Sequence, residues 1–477
     1  MSRPANLVLA LAVASLCGTG SLFAQSTLTP LATFGTNGWL QPGSSTYLGT
    51  GNLERGLAYN PATGNLILCS RAVAPGLRIL NGATGADLGG LDTTGVAGGT
   101  FTLNLVDCGA DGTIYACNLS TSAAANFKVY KWVAEVVAVP PSVAFDSLLT
   151  NTNRVGDSFA VTGGTPSTPV RWAAAGSNSS TALPGSNSQF HVGSTDASNT
   201  ASSFTGIPGT IATSNGYRLG LTWVDQDTVV GSQGATAYMT DFNTATSTAN
   251  VVAAITTSAA QRAMDYAVIN GTPVLAILDS NSSILSVYDV SFPTSPTLLA
   301  SGTATSGALS ANGNGTGAVQ WGAITGSTAT VYAMNSNQGI QAFTFSLALP
   351  ATARSIGAGC GTPALALASS GAPILPSTVN LDLTNMPTTA LAFYVLGFSD
   401  IPGGVPLPVA PTCNQYVVPT STNLVVPTTP GSATYTLNVP NSPSLAGLVF
   451  FGQGLSFDTA SGVIQSSNAL RFFLQTF

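Results

Sequence analysis

The sequence predicts an all-β chain, a β-propeller of six blades, with seven as the alternative, followed by a small β-sandwich. Three observations predict it. A unit of four short strands recurs along most of the chain. The composition favours strands and turns over helices. The last recurrence is one strand short, while a spare strand-like run stands near the N-terminus.

The N-terminus comes first. Arg3 precedes an apolar run over 7–16, then small residues and Ala24-Gln25. A basic start, a short apolar core and a small residue before the cut describe a secretory signal peptide, with cleavage expected after Ala24. The run is too short to span a bilayer, and no later segment reaches the ~20 apolar residues required. Cys17 invites a lipoprotein reading, but Leu16 is a poor fit to the small residue expected before a lipidated cysteine. The expected location is the periplasm, the cell surface or the extracellular space, with no transmembrane segment after signal cleavage.

The propeller is expected over 25–347. Its first unit reads strand, turn, strand through Arg55-Gly56-Leu57-Ala58-Tyr59-Asn60-Pro61-Ala62-Thr63-Gly64 and Asn65-Leu66-Ile67-Leu68-Cys69, and two more short strands complete it by Leu91. Similar quartets occupy 102–145, 158–206, 219–253 and 264–300. A sixth unit, 319–345, holds three strands, and the run 28–34 can supply its fourth. Closing the ring with strands from both chain ends protects the sheet edges. Successive units follow at a blade-like period. The loosely patterned stretch 174–216 leaves seven blades open.

Composition changes at Leu347-Ala348-Leu349-Pro350, so 348–356 reads as a linker. The remainder, 357–477, carries six or more strand-like runs and fits a sandwich. Cys360 and Cys413 are its only cysteines. Pairing them would close a loop of about fifty residues, worth roughly 4 kcal/mol in the chain-entropy model. In the propeller, Cys108 and Cys117 flank the Ala110-Asp111-Gly112 turn, whereas Cys69 and Cys117 occupy matching places in successive units. Either pair could bridge, or all three could stay as thiols.

The first two units resemble the DUF4623 family of secreted bacterial propellers. The resemblance rests on the motif from Arg55 to Leu68, on Ile79-Leu80-Asn81-Gly82-Ala83-Thr84-Gly85, on Ala110-Asp111-Gly112-Thr113-Ile114-Tyr115-Ala116-Cys117 and on Lys128-Val129-Tyr130-Lys131-Trp132. It covers about residues 50 to 346 and implies the fold, but no catalytic residues. Separately, Gly357-Ala358-Gly359-Cys360, Val395-Leu396-Gly397-Phe398-Ser399 and Pro440-Asn441-Ser442-Pro443 resemble a C-terminal domain appended to diverse exported bacterial proteins. That likeness implies sorting, attachment or adhesion.

Charge and rare residues narrow the chemistry. Charged residues make up 6% of the chain, against roughly 25% in ordinary soluble domains. The net charge is -6, and Lys128 and Lys131 are the only lysines, which excludes a nucleic-acid partner and a polybasic membrane patch. His191 is the single histidine, so no multi-histidine metal site is expected. Glu54 and Glu135 are the only glutamates, and no Gly-x-Ser-x-Gly elbow stands out. Asp225 and Asp227 read as turn residues. The five tryptophans, Trp39, Trp132, Trp172, Trp223 and Trp321, read as packing between blades, with sugar stacking as the alternative.

One pattern suggests a site. Arg55, Arg154, Arg218 and Arg262 each stand just before an innermost strand, with Tyr59, Phe159, Trp223 and Tyr266 four or five residues on. These junctions are expected to converge on one mouth of the central channel, where guanidinium groups can hold a carboxylate or phosphate. The alternative is that each arginine bonds loop carbonyls between blades. The expected function is therefore an exported, non-enzymatic binding or scaffold propeller, recognising an anionic ligand or glycan, with no cofactor and no catalytic residues. An extracellular glycan or a cell-surface protein is the expected partner. The alternatives are an extracellular polysaccharide hydrolase or lyase and a structural cell-surface component.

Overall fold

The computed structural model describes residues 26–475 apart from 74–75, 150–151, 178–189, 206, 208–215, 349, 443–444 and 446. The segment read as a signal peptide and much of the loosely patterned stretch, including the expected strand ends at Gln189 and Gly206, lie outside the described residues. The chain divides into two compact units, one spanning Gln25–Ala348 and the other containing Leu349–Phe477.

The first unit is a six-bladed propeller. Five antiparallel sheets of four strands each follow chain order from the axis outward, and a sixth closes the ring. The innermost strands are Glu54–Tyr59, Phe101–Cys108, Ser158–Thr162, Gly220–Trp223, Gln261–Ile269 and Gly317–Thr325, and each packs against the next, the sixth against the first. The spare N-terminal strand takes the place expected of it. Thr27–Pro30 runs antiparallel along Gly339–Ser346, with Thr27 opposite Ser346 and Pro30 opposite Phe343. Trp39–Leu40 pairs further along the same strand.

Apolar side chains from facing sheets weld the blades. Phe127 and Phe145 of the second blade pack on Trp172 of the third, with ring centroids 5.2 and 4.8 Å apart. At the closure, Phe34, Leu57, Leu66 and Leu80 meet Tyr332, Met334 and Ile340, all buried. The Tyr332 hydroxyl crosses to donate to the Gly82 carbonyl, 2.9 Å. Such contacts combine apolar burial with satisfied polar ends, the arrangement that lets a tyrosine be buried. Cys69, Cys108 and Cys117 are unbridged, and burial pushes the Cys69 thiol up to about 12.

The second unit is the sandwich. A sheet of Thr352–Ile356, Ile464–Phe473, Val449–Asp458, Ala390–Gly397 and Ser421–Val425 faces a sheet of Ala366–Ser369, Ser377–Thr384 and Ser432–Val439. Val379, Leu381 and Leu383 meet Ala392, Tyr394 and Phe472 between the sheets. The segment read as a linker differs from that expectation. Thr352–Ile356 pairs with Ile464–Phe473, because Ala353 and Ile356 find apolar partners on the sandwich. Cys360 and Cys413 form the disulfide, with their Cα atoms 5.2 Å apart.

Two tests follow from this architecture. Deleting residues 26–30 is expected to lower the propeller's urea midpoint, because the closing edge loses its partner. Cys413→Ser is expected to cost the sandwich about 2–4 kcal/mol in urea unfolding.

Candidate functional site

The six innermost strands run the same way along the axis, so their starts form one mouth and their ends the other. Between the mouths the six strands, at Leu57, Val106, Phe159, Leu221, Met264 and Val319, line a cavity of about 40 Å³. That is room for about three water molecules. The two mouths are therefore separate places for chemistry.

Each innermost strand has a sheet partner on one side only, and its other edge needs acceptors for its N–H groups. Four junctions supply them at one register. Asp107 Oδ2 accepts from Val161 N of the next blade at 2.6 Å. Thr222 Oγ1 accepts from Tyr266 N at 3.4 Å, Asp265 Oδ2 from Trp321 N at 2.8 Å, and Gln320 Oε1 from Tyr59 N at 3.4 Å. The other oxygen of each carboxylate is occupied too. Asp107 Oδ1 accepts from Cys108 N, and Asp265 Oδ1 from Tyr266 N and Thr222 Oγ1. Burial pushes the carboxyl of Asp107 up to about 7 and that of Asp265 up to about 6.

The mouth at the strand starts is rich in arginine. Arg55, Arg71, Arg154, Arg218 and Arg262 stand at or beside it, five of the seven arginines in the propeller. Arg154 grips Asp157 with two parallel bonds of 2.5 and 2.6 Å, and Arg218 Nε reaches the same carboxylate at 2.9 Å. The Asp157 side chain is only 2% exposed. Arg55 has no such partner. It is 5% exposed, and among the described residues its one hydrogen bond runs from Nε to Asn104 Oδ1 at 3.4 Å. Arg71 donates to the same amide oxygen, and its guanidinium lies 3.5 Å over the Phe101 ring. Burial pushes Arg55 down; burial and the Arg55 charge push Arg71 down to about 10. Glu54 turns away to accept from Gly49 and Asn337 backbone N–H groups. Arg262 packs against Gly315 with its Nε buried and unpaired. Beside Arg71 a hollow of about 550 Å³ is lined by Asn52, Ser70, Phe101, Thr102 and Asn314.

The aromatic partners expected beside these arginines are at the other mouth. Tyr59, Trp223 and Tyr266 line a depression of about 350 Å³ together with Trp321, Gln320, Asp107 and Asp265. The physical reason is strand rise. At ~3.3 Å per residue, four residues along an extended strand carry the chain about 13 Å, from one end of the channel to the other. Phe159 stays at the central cavity. Sequence reading missed Arg71, which follows the second strand of its blade, and missed the register of polar residues at 107, 222, 265 and 320. That register was the available signal.

The remaining candidates have structural places. His191 is fully buried, with Nδ1 2.7 Å from Ser203 Oγ, and burial pushes it down to about 3. Asp225 caps its own turn by accepting from Asp227 N. Trp39, Trp132, Trp172 and Trp321 donate to backbone carbonyls. Among the described residues no group of three or more His, Cys, Asp or Glu gathers to hold a metal. Among them, too, no helix is long and apolar enough to cross a membrane.

No family model matches the sequence, and no curated protein matches it. Solved structures do. A DUF4623 family protein from Bacteroides eggerthii matches over 62% of this chain and 71% of its own, with 16% identity and a TM-score of 0.45. This chain resembles that DUF4623 protein. PorZ, an essential bacterial surface component of the type-IX secretion system of Porphyromonas gingivalis, matches over 88% of this chain and about half of its own, 51%, with 10% identity and a TM-score of 0.35. An exo-β-1,3-galactanase from Phanerochaete chrysosporium matches over 76% and 93%, with 11% identity and a TM-score of 0.32. These likenesses concern the fold and carry neither ligand nor activity to this chain.

The buried carboxyls predict a pH dependence. Their folded pKa values are raised, so their contribution is complete below the unfolded value and is lost as pH rises through about 6 to 7. The propeller's urea midpoint is expected to be higher at pH 5 than at pH 8, and Asp107→Asn to flatten that fall.

Proposed function

We propose that this chain is an exported, non-enzymatic binding propeller whose arginine mouth takes an anionic group, the carboxylate, sulfate or phosphate of an extracellular ligand. The observation that carries the reading is Arg55. A buried guanidinium that shares one neutral amide oxygen with a second arginine, and that Asp157 reaches only through space, is an incompletely paired charge, and such a charge is costly unless something anionic pairs with it. Asp157 is already engaged by Arg154 and Arg218. An incoming anion would find Arg55 and Arg71 together, with fork-like donors suited to oxyanions.

In a chain with so few charges, five arginines at one end give a field that steers an anion there. The export reading rests on the pattern of residues 1–24, and the Cys360–Cys413 disulfide fits it. The C-terminal unit is assigned to attachment or sorting. Its apolar pocket of about 250 Å³, lined by Leu396, Phe398, Leu437 and Phe450, supports a contact role.

The test is calorimetric titration with sulfate and with glucuronate. Arg55→Gln and Arg71→Gln are each expected to weaken binding about tenfold or more, about 1.4 kcal/mol, while the urea midpoint holds. Added salt should weaken binding as well. Unchanged affinity in both variants would overturn the anion site. Release of reducing ends from an acidic polysaccharide would overturn the non-enzymatic part.

A further inference from the structure

We infer that the opposite mouth is a second binding site, for a neutral saccharide. The depression at the strand ends holds about 350 Å³, within the ~300–1,000 Å³ of small-molecule pockets. Four of its lining residues are aromatic, from four blades: Tyr59, Trp223, Tyr266 and Trp321. Tyr59 stacks on Tyr332 and the two tryptophans are buried, so the half-buried Tyr266 is the ring that can meet the C–H face of a pyranose, with Tyr59 at its edge.

The hydrogen-bonding groups point to the same chemistry. The hydroxyls of the half-buried Tyr59 and Tyr266 make no hydrogen bond among the described residues, whereas buried Tyr332 and Tyr130 bond backbone carbonyls. Two free hydroxyls beside one hollow suit a ligand rich in acceptors. Hydroxyl and ring oxygens supply them, and a compact cation does not.

Charge selects against an acidic sugar. Asp107 and Asp265 belong to the lining, and Asp225 lies close enough to act on the Tyr266 hydroxyl. The nearby cation, Arg171, bonds the Gln226 carbonyl at 2.6 Å and approaches Asp227 at 3.5 Å. Above about pH 7, where Asp107 and Asp265 are ionised, the field at this mouth opposes anions, the reverse of the arginine mouth. The length of the innermost strands keeps the two apart.

The test uses the whole protein on immobilised neutral oligosaccharides and their uronate counterparts, followed by titration of the best neutral ligand with intrinsic tryptophan fluorescence. Saturable binding is expected, with Tyr266→Leu weakening it about tenfold and Tyr266→Phe less, because stacking is kept. Arg55→Gln is expected to leave it unchanged, which separates this site from the anion mouth. Urea midpoints of the variants distinguish lost contact from lost fold. The inference is overturned if no neutral oligosaccharide binds, if uronates bind this mouth equally well, or if a folded Tyr266→Leu binds as before.

Discussion

The propeller depends on how six half-paired strands are held around one axis. Each innermost strand presents a row of N–H and C=O groups that no neighbour in its own sheet can take. Left open in an apolar interior, those groups would cost more than the packing returns. Apolar side chains fill most of each junction, and at four of the six, polar side chains at one register bridge it. At two junctions the bridging residue is a carboxylate. Asp107 and Asp265 thus serve the ring itself, with their oxygens occupied by backbone and threonine donors.

That arrangement explains how charge is distributed. With few ionisable residues, the chain places acids at the ends of the innermost strands and arginines at their starts. The length of the innermost strands keeps the two sets apart. Asp157 and Glu54 are the exceptions: Asp157 bonds Arg154 and Arg218 and ties the entries to the third and fourth blades, while Glu54 accepts from backbone N–H groups. Arg55 and Arg71 have no equivalent acid. Their closeness across the face of Asn104 makes the first and second blades the point where an external anion has most to offer.

Much of the fold was legible because turns and strand spacing are local. The Asn60 to Gly64 and Ala110 to Gly112 turns mark hairpins by their own chemistry. The short sixth unit announced its need for a strand from elsewhere. The candidate site was half legible. The recurrence of arginine at the start of four innermost strands placed Arg55, Arg154, Arg218 and Arg262 at a common end. Pairing them with the aromatics failed, since neighbours in sequence along an extended strand are far apart in space. Arg71 escaped notice because it belongs to a different strand end of its blade, a proximity that arises only when the chain doubles back.

The sequence by itself determined the all-β character, the four-strand repeat and the separate cysteine pair of the second unit, because each depends on short-range periodicity or on counting. Only the tertiary structure decided that the three propeller thiols stay apart as thiols, that Thr352–Ile356 joins a sheet, and that arginines and aromatics face opposite ways. Those outcomes depend on which edges and faces meet when distant segments close a ring, and no local pattern encodes that meeting.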